Sequence, residues 1–286
     1  MEHPAELSVH SFLRKAIDGN ASMSQEIIEG VCKDIHAALD KQFNSGPRDK
    51  FKLRMSNVGR PKCQLWFEKN DPETDILKPT SFMINMLIGD LVEAIFKGLL
   101  RASDVTFEDN DKVTLELEGG AEVSGEYDMV LDGAVDDVKS ASPWSYTNKF
   151  IDVETLAAGD SFGYVSQLIG YAHAAGKNVG GWWVVNKGNG EFKYVPAASV
   201  DKGAVLDDIQ QTHNYIANDE PFERCFSAEP ETYRGKPSGN MKLTKQCSFC
   251  SHKKKCWPGL QALPSKVYKG GKTPPTVEYV SLNKEY

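Results

Sequence analysis

The dipeptide Asp132-Gly133 joins two segments that are predicted to be strands, 122–131 and 134–140, and it constrains the fold more than any other feature of the chain. An Asp-Gly pair in this position is typical of a two-residue β-hairpin turn, because both residues tolerate positive φ. Such a turn sets the strand register, so we expect Leu131 to pair with Ala134 and, further out, Asp128 with Asp137. Two carboxylates would then lie side by side on one face of a sheet.

Adjacent carboxylates repel each other, so this arrangement needs a group that offsets their charge. A divalent cation with oxygen ligands, Mg²⁺ or Mn²⁺, would do so. Lys139 is expected on the same face as Asp137, since side chains alternate along a strand. The alternative is a register shifted by one residue, in which case these carboxylates are ordinary surface charges.

The segment from Ser81 to Arg101 is predicted to form a helix, with Ser81 as its N-cap. One face carries a single carboxylate in an otherwise apolar stripe: Phe82, Met86, Gly89, Glu93, Phe96 and Leu100. An isolated buried carboxylate is expected to be protonated, paired with a base or bound to a metal. Glu93 is therefore a candidate third acidic ligand, and the alternative is a side chain that reaches solvent at the edge of the stripe.

Further periodic patterns predict helices and strands on both sides of this region. The predicted helices are 23–43, 81–101 and 160–176, and the predicted strands are 112–117, 122–131, 134–140, 181–186 and 191–195. The strands between 112 and 140 form an antiparallel meander in this prediction. The expected fold is α/β or α+β, with a central mixed sheet that contains the meander and is flanked by helices.

Three cysteines lie close together near the C-terminus, in the pattern Cys247-Ser248-Phe249-Cys250 followed by Cys256. Three thiolates so near each other favour metal ligation over packing. The fourth ligand is open among Cys63, Cys225, Cys32 and His252. The spacing is compatible with tetrahedral zinc and with an iron-sulfur cubane. Six cysteines are too few for a disulfide scaffold, and Met1 to Asn20 lacks the apolar core of a signal peptide, so we expect an intracellular protein with no membrane span.

The net charge of −7 argues against a nucleic-acid partner when the chain is taken as a whole, but its basic residues are unevenly distributed. Residues 234–277 contain ten basic side chains and no acidic one: Arg234, Lys236, Lys242, Lys245, Lys253, Lys254, Lys255, Lys266, Lys269 and Lys272. A second basic stretch runs from Arg48 to Lys62. Such runs are either solvated faces or nucleic-acid contacts.

Four motifs together resemble the PD-(D/E)xK nuclease core and its RecB-like branch. They are Gly89-Asp90-Leu91-Val92-Glu93, Gly125-Glu126-Tyr127-Asp128, Asp137-Val138-Lys139 and Gln167-Leu168-Ile169-Gly170-Tyr171. The last looks like the QxxxY element of that branch, and Glu93 stands where many relatives carry His. The resemblance implies a restriction-endonuclease-like core.

The resemblance also implies roles for individual residues. The metal ligands would be Glu93, Asp128, Asp137 and the carbonyl of Val138, and the catalytic residues would be Asp128, Asp137, Lys139, Gln167 and Tyr171. Lys139 would orient the attacking water and balance charge on phosphorus, while Gln167 and Tyr171 would position the strand or the nucleophile. Lys187, after the Trp-rich strand, is a further candidate for a phosphate contact.

The cysteine arrangement resembles the iron-sulfur staple of AddB-type and CRISPR-adaptation-type nucleases. The implied ligands of a [4Fe-4S] cluster are Cys63, Cys247, Cys250 and Cys256, with Zn²⁺ as the alternative; Cys32 and Cys225 would then be packing residues. The cluster would place the basic run beside the nuclease face. Lys253, Lys254, Lys255 and Trp257 would there grip single-stranded DNA through cations and an aromatic platform.

The function implied is a metal-dependent DNA exonuclease acting on single-stranded ends in recombination, repair or phage DNA processing. A CRISPR-adaptation-type or endonucleolytic nuclease, and a non-catalytic zinc-stapled DNA-binding subunit, are the alternatives. Expected partners are DNA and recombination or single-strand-binding proteins, in the cytoplasm of the cell or of a phage host. The expected organisation is an N-terminal helical region (1–53), a nuclease domain closed by the cysteine-ligated cluster (54–260) and a C-terminal tail (261–286).

Overall fold

The structure, a computed structural model, describes residues 3–46, 51–74, 76–270 and 273–283. The basic residues Arg48, Lys50 and Lys272 lie outside the described residues. The helices are α1 Pro4–Ile17, α2 Gln25–Phe43, α3 Lys62–Asn70, α4 Ser81–Ala102, α5 Pro143–Asn148, α6 Val153–Ala158, α7 Tyr164–Ala174, α8 Lys202–Ala217 and α9 Lys253–Cys256. The strands are β1 Phe107–Glu108, β2 Asp111–Glu116, β3 Glu122–Tyr127, β4 Met129–Leu131, β5 Ala134–Ala141, β6 Asn178–Asn186, β7 Phe192–Pro196, β8 Glu229–Tyr233, β9 Lys236–Lys242, β10 Gln261–Pro264 and β11 Thr276–Ser281.

The predicted hairpin turn and its register are confirmed. Asp132 and Gly133 have φ of 50° and 76°, as a type I′ turn requires. Leu131 pairs with Ala134, and the register continues outward to the pair of Met129 and Asp136. The acidic segment after the turn therefore lies where the sequence predicts it.

The predicted three-stranded meander is wrong, because its middle strand breaks at Asp128. The first part, β3, pairs with β2 in a separate two-stranded sheet, and the second part, β4, pairs with β5. The main sheet has the order β1-β4-β5-β6-β7, in which β5 and β6 are parallel and the other pairs antiparallel. A mixed sheet flanked by helices, the general class predicted, is confirmed.

Helices α1 and α4 cover one face of this sheet with a continuous apolar core. Its buried side chains are Ala5, Val9, Phe96, Leu100, Met129, Leu131, Val138, Trp183 and Phe192. Because side chains alternate along β5, Asp137 and Lys139 point away from this core, toward the face where Gln167 of α7 approaches Lys139. The α7 side also contains buried apolar residues, among them Trp182 and Val184, so Asp137 and Lys139 are charged residues in largely apolar surroundings.

The starts of the predicted helices differ from the structure: α2 begins at Gln25 rather than at residue 23, and the other two differ as follows. Ser81 is the first residue of α4, and Thr80 holds the N-cap position without a capping side-chain bond. Helix α7 begins at Tyr164 rather than at Asp160, because the Asp160 carboxylate accepts hydrogen bonds from the backbone N–H groups of Gly163 (3.0 Å) and Val165 (2.8 Å). Asp160 therefore fixes a loop ahead of the helix instead of belonging to it.

Packing divides the chain into two units. The first contains the residues up to Gly59 together with Pro79–Asn214, and the second contains Arg60–Lys78 together with the residues from Tyr215 onward. This division differs from the predicted segments 1–53, 54–260 and 261–286, since α1 packs on the main sheet and β10 and β11 pair within the second unit.

The second unit contains an antiparallel sheet of order β10-β11-β9-β8. Glu231 on β8 is 4% exposed, and its carboxylate accepts hydrogen bonds from Tyr279 Oη at 2.6 Å and Asn240 Nδ2 at 2.8 Å. These bonds, with others from Ser238 and Ser265, lower the pKa of Glu231 although burial opposes the shift. Within the described residues, no helix combines the length and apolar character that crossing a bilayer requires.

Asp136 is a buried carboxylate that the sequence analysis did not single out. It is 1% exposed and accepts hydrogen bonds from Gly181 N (2.8 Å), Trp183 Nε1 (3.0 Å) and Tyr194 Oη (2.9 Å). Burial raises the pKa of Asp136 to about 7, although the three donors lower it in part. Asp136 points to the side of the sheet that α1 and α4 cover, whereas Asp137 and Lys139 point to the opposite side.

We predict that Asp136 makes the free energy of unfolding fall as the pH rises. The folded state holds the Asp136 proton up to a pKa of about 7, whereas the unfolded state releases it near pH 4. The stabilisation is therefore greatest below pH 4 and is lost by about pH 7, by up to about 4 kcal/mol at 1.36 kcal/mol per pKa unit.

Urea unfolding of the wild type and of Asp136→Asn between pH 4 and pH 8 measures this effect. The difference in unfolding free energy between the two proteins should change with pH in that window. A constant difference across the whole range would contradict the prediction.

Candidate functional site

Asp128 lies at the break between β3 and β4, where the chain passes from the small sheet to the main sheet. Its side chain is partly buried, and Oδ2 accepts a hydrogen bond from the backbone N–H of Val138 at 2.7 Å. The bend thus turns Asp128 onto β5, beside Asp137. This confirms that the two carboxylates are neighbours, although strand pairing itself ends at Met129.

Asp137 and Lys139 form a buried ion pair on the α7 side of β5. Asp137 Oδ2 lies 2.5 Å from Lys139 Nζ, and the two side chains are 3% and 18% exposed. Burial raises the pKa of Asp137, and Lys139 opposes this shift. Burial alone would lower the pKa of Lys139, but attraction to Asp137 and Asp128 raises it above its ordinary value, so the lysine is charged.

Glu93 is less buried than the apolar stripe predicts. Its side chain is 29% exposed, and Oε1 accepts a hydrogen bond at 2.8 Å from Lys97, whose own side chain is only 5% exposed. Lys97 lies one helical turn after Glu93 and is its positively charged partner. The sequence analysis did not identify this pair. The charge of Glu93 nevertheless raises the pKa values of Asp128 and Asp137, so all three carboxylates face the same region.

The carboxylates of this region are under electrostatic strain. The pKa of Asp128 lies well above its ordinary value, first because of burial and then because of the charges on Asp137 and Glu93. Lys139 and the N–H of Val138 only partly offset these effects. An added positive charge among the three carboxylates would therefore be stabilised by each of them.

Gln167 and Tyr171, both on α7, connect to the ion pair through hydrogen bonds. Gln167 Oε1 lies 3.4 Å from Lys139 Nζ, and Gln167 Nε2 donates to Tyr171 Oη at 3.3 Å. Tyr171 is 3% exposed, and burial raises its pKa to about 12. A Cβ on Gly125 would lie 2.7 Å from the Tyr171 ring, which explains why glycine is needed at this point of β3. The glutamine therefore connects a charged lysine to a neutral, buried phenol.

The donor chemistry of the site suits a hard divalent cation. Asp128, Asp137 and Glu93 offer carboxylate oxygens, and Asp137 Oδ2 is buried without a well-aligned hydrogen bond among the described residues, its contact with Lys139 being an ion pair. In the described part of the chain, no three His, Cys, Asp or Glu side chains are already spaced as a metal-binding group. The Val138 carbonyl stays a predicted ligand, since the contact found for Val138 is made by its N–H.

In the second unit, four cysteines line one cavity: Cys63, Cys247, Cys250 and Cys256. These are the residues that the resemblance implies as cluster ligands. Cys63 comes from α3, while the other three surround α9. The remaining lining is largely apolar and includes Pro61, Phe67, Phe226 and Trp257.

Arg224 contacts two residues that line this cavity, Cys256 and Trp257. Its guanidinium donates to the carbonyl of Cys256 through Nε at 2.9 Å and through a terminal nitrogen at 2.7 Å. It also lies 4.4 Å from the centre of the Trp257 ring. Burial raises the pKa of Cys256, and Arg224 opposes that shift. Arg224 thus supplies positive charge next to a group of potential thiolates, a contribution that the sequence analysis missed.

The other candidate ligands do not line the cavity. His252 is buried and stacks on Phe67 at 5.3 Å between ring centres. The prediction that Cys32 and Cys225 are packing residues is wrong, because both are exposed. Cys225 Sγ instead accepts a hydrogen bond from the backbone N–H of Cys63 at 3.1 Å, so a fifth thiol lies at the edge of the site.

Most of the lysines predicted to bind DNA already have a partner within the protein. Lys253 pairs with Glu278 at 2.7 Å and Lys255 with Asp71 at 2.5 Å, while Lys254 is exposed. Lys187, in the first unit, donates to Asn85 Oδ1 at 2.7 Å. Trp257 is partly buried against the cysteine cavity and Arg224. The basic run is therefore partly neutralised, and its role in DNA binding stays a prediction.

No protein-family model and no curated protein matches the chain. Among solved structures, the protein of the "Crystal structure of SSO0001" is similar, with a TM-score of 0.42 and 11% sequence identity over 81% of this chain and 96% of that chain. At this level of similarity, the function of the chain has to be inferred from its own side chains.

We predict that Asp128→Asn raises the melting temperature of the metal-free protein at pH 8. The substitution removes a charge that burial and two neighbouring carboxylates disfavour, and the amide oxygen can still accept from Val138 N–H. A gain of roughly 2–4 °C is expected, which corresponds to about 1 kcal/mol in a domain of this size.

Asp152→Asn is the matched control. The pKa of Asp152 is lowered by its bonds to Thr155 at the start of α6, so its negative charge at the helix N-terminus is stabilising and its loss should lower the melting temperature slightly, although asparagine can still cap the helix. Thermal unfolding in a chelator distinguishes the two cases. A fall in melting temperature for Asp128→Asn would contradict the electrostatic strain described here.

Proposed function

We propose that the chain is a divalent-metal-dependent DNA exonuclease with a restriction-endonuclease-like core, of the RecB-like branch of the PD-(D/E)xK superfamily. The observation that carries the proposal is the buried Asp137–Lys139 ion pair, with Asp128 beside it and Gln167 and Tyr171 behind it. Carboxylates that hold a cation, next to a charged lysine, suit hydrolysis of a phosphodiester.

Asp128, Asp137 and Glu93, with the carbonyl of Val138, would hold Mg²⁺ or Mn²⁺. The bound ion would supply Lewis-acid chemistry, polarising the scissile phosphate and lowering the pKa of the attacking water. The repulsion among the carboxylates supports this assignment, because without a cation it only destabilises the folded protein.

Lys139 would orient the attacking water and stabilise the negative charge that grows on the phosphoryl oxygens. Its raised pKa suits this role, since the lysine must stay protonated while charge develops beside it. Gln167 would restrict the position of the Lys139 amine. Tyr171 would in turn restrict Gln167, because its ring is confined against Gly125. Gln167 and Tyr171 are thus positioning residues in this proposal.

In the second unit, we propose that Cys63, Cys247, Cys250 and Cys256 bind a [4Fe-4S] cluster. The four thiols line one cavity although Cys63 is far from the other three in sequence, which supports a shared metal group. The resemblance of the cysteine spacing to iron-sulfur staples favours the cluster, and Zn²⁺ is the alternative that four thiolates also suit. The cluster would hold the segment Arg60–Lys78 to the C-terminal part of the same unit, so its role would be structural.

We predict that Asp137→Asn lowers the rate of Mg²⁺- or Mn²⁺-dependent degradation of linear single-stranded DNA by about 10²–10³-fold or more. The substitution removes both a metal ligand and the partner of Lys139. DNA binding in Ca²⁺ should remain, because the residue is not expected to contact bases. Substrates labelled at the 5′ or the 3′ end report the polarity, and circular strands report endonuclease activity.

Asp136→Asn is a matched control, because Asp136 is the adjacent buried aspartate but faces the core. It should retain cleavage at temperatures where it is folded. A wild type that binds strands but cuts none with either metal would instead support a non-catalytic binding subunit, and efficient cutting of circles would support an endonuclease.

We predict that Cys250→Ser removes iron, sulfide and visible absorption from protein purified without oxygen, and lowers its melting temperature. Cys225→Ser is the control: its thiol touches Cys63 but does not line the cavity, so this variant should keep the cluster. Stoichiometric zinc in a colourless, folded wild type would contradict the cluster.

A further inference from the structure

The indole of Trp257 brings a buried polar atom to the wall of the cysteine cavity. Trp257 directly follows Cys256, and its side chain lines the cavity together with the four cysteines. Its Nε1 atom is shielded from solvent and makes no well-aligned hydrogen bond in the part of the chain that the structure describes. A buried N–H without an acceptor destabilises the folded protein, so an acceptor is expected beside it.

The sulfur of Cys247 lies within reach of this N–H. Burial and the neighbouring cysteines raise the pKa of the Cys247 thiol to about 11, whereas the Trp257 N–H acts in the opposite direction. An N–H group has this effect when it is close enough to donate to the sulfur, because the bond favours the charged form. A neutral thiol is only a weak acceptor, and a thiolate is a stronger one. The indole is therefore placed to serve a Cys247 that carries negative charge.

Contacts within the second unit hold the indole in this orientation. The Arg224 guanidinium lies 4.4 Å from the centre of the Trp257 ring and donates to the Cys256 carbonyl at 2.9 Å and 2.7 Å. The backbone N–H of Trp257 donates to the Lys253 carbonyl at 2.8 Å, at the end of α9. The direction of the indole N–H is thus set by the protein.

We propose that Trp257 is a positioning residue of the metal group in the second unit, and that its indole N–H donates to the metal-bound thiolate of Cys247. Metal binding keeps cysteine ligands deprotonated, so Cys247 would become the charged acceptor that the buried N–H lacks. Hydrogen bonds from outside the ligand set orient the ligands and tune the metal.

This inference rests on the proposed cysteine-ligated metal group. It holds for a cluster and for zinc alike, since both take cysteine as thiolate. The role lies at the cavity wall, whereas the prediction from the sequence placed Trp257 in contact with DNA.

Metal affinity of the full chain tests the proposal. Protein stripped of metal by a chelator, without oxygen and with its thiols reduced, is titrated with Co²⁺ in competition with a second chelator of known affinity. Trp257→Phe keeps an aromatic ring but loses the N–H, and it should raise Kd for Co²⁺ about 10–100-fold. Trp66→Phe is the matched control: its indole N–H, in the same unit, donates to the Glu220 carbonyl at 2.9 Å and does not line the cavity, so Kd should not change.

The sulfur-to-Co²⁺ charge-transfer band gives a readout that a change in packing alone would not move. A hydrogen bond lowers the energy of the sulfur electrons, so its loss in Trp257→Phe should shift the band to longer wavelength. In protein purified with a cluster, the same loss should make the reduction potential more negative. An unchanged Kd for Trp257→Phe would overturn the proposal. A raised Kd with an unmoved band would also overturn it, because that result indicates lost packing.

The same measurements separate this inference from the proposed function. A wild type that binds Co²⁺ through thiolates and shows the expected effect of Trp257→Phe, but degrades no DNA, would overturn the nuclease proposal and leave this inference standing. A wild type that holds neither Co²⁺ nor iron would overturn the proposed metal group and this inference together. A wild type with its metal group, in which Trp257→Phe changes nothing, would overturn this inference alone.

Discussion

The buried pair of Asp137 and Lys139 is the interaction on which the arrangement of the first unit depends. A lysine at this depth stays charged only because carboxylates surround it, and the three carboxylates of Asp137, Asp128 and Glu93 outnumber the two lysines beside them, Lys139 and Lys97. The hairpin turn sets the position of Asp137, the break after β3 brings in Asp128, and α7 confines the lysine through Gln167. The fold thus assembles an incompletely neutralised site, and this imbalance is the physical basis for proposing a bound cation.

The sequence predicts this site better than it predicts the sheet. The turn at Asp132-Gly133 sets the register with local chemistry alone, so the position of Asp137 could be predicted. The break at Asp128 could not, because the sequence predicts one continuous strand over 122–131 while the pairing partner changes from β2 to β5. Asp136 and Asp137 are chemically identical neighbours, and only the packing of Trp183 and Tyr194 distinguishes the core aspartate from the site aspartate.

Burial and contacts that only the fold determines account for most of what was missed. Lys97 looks like an ordinary surface lysine in the sequence, yet it is buried beside Glu93. Arg224 and Cys225 belong to no recognisable motif, and only the fold brings them to Cys256 and Cys63. Motifs reveal groups close in sequence, whereas these contacts depend on tertiary structure.

The central claim is that Asp128 and Asp137 share a divalent cation within reach of Lys139. A crystal structure of the wild-type protein grown with Mn²⁺, with data collected for anomalous scattering by manganese, tests it most directly. The account predicts an anomalous peak between the carboxylates of Asp128 and Asp137, at about 2.0–2.2 Å from their oxygens. Strong anomalous peaks elsewhere, with Asp128 and Asp137 bound only to protein groups, would contradict it.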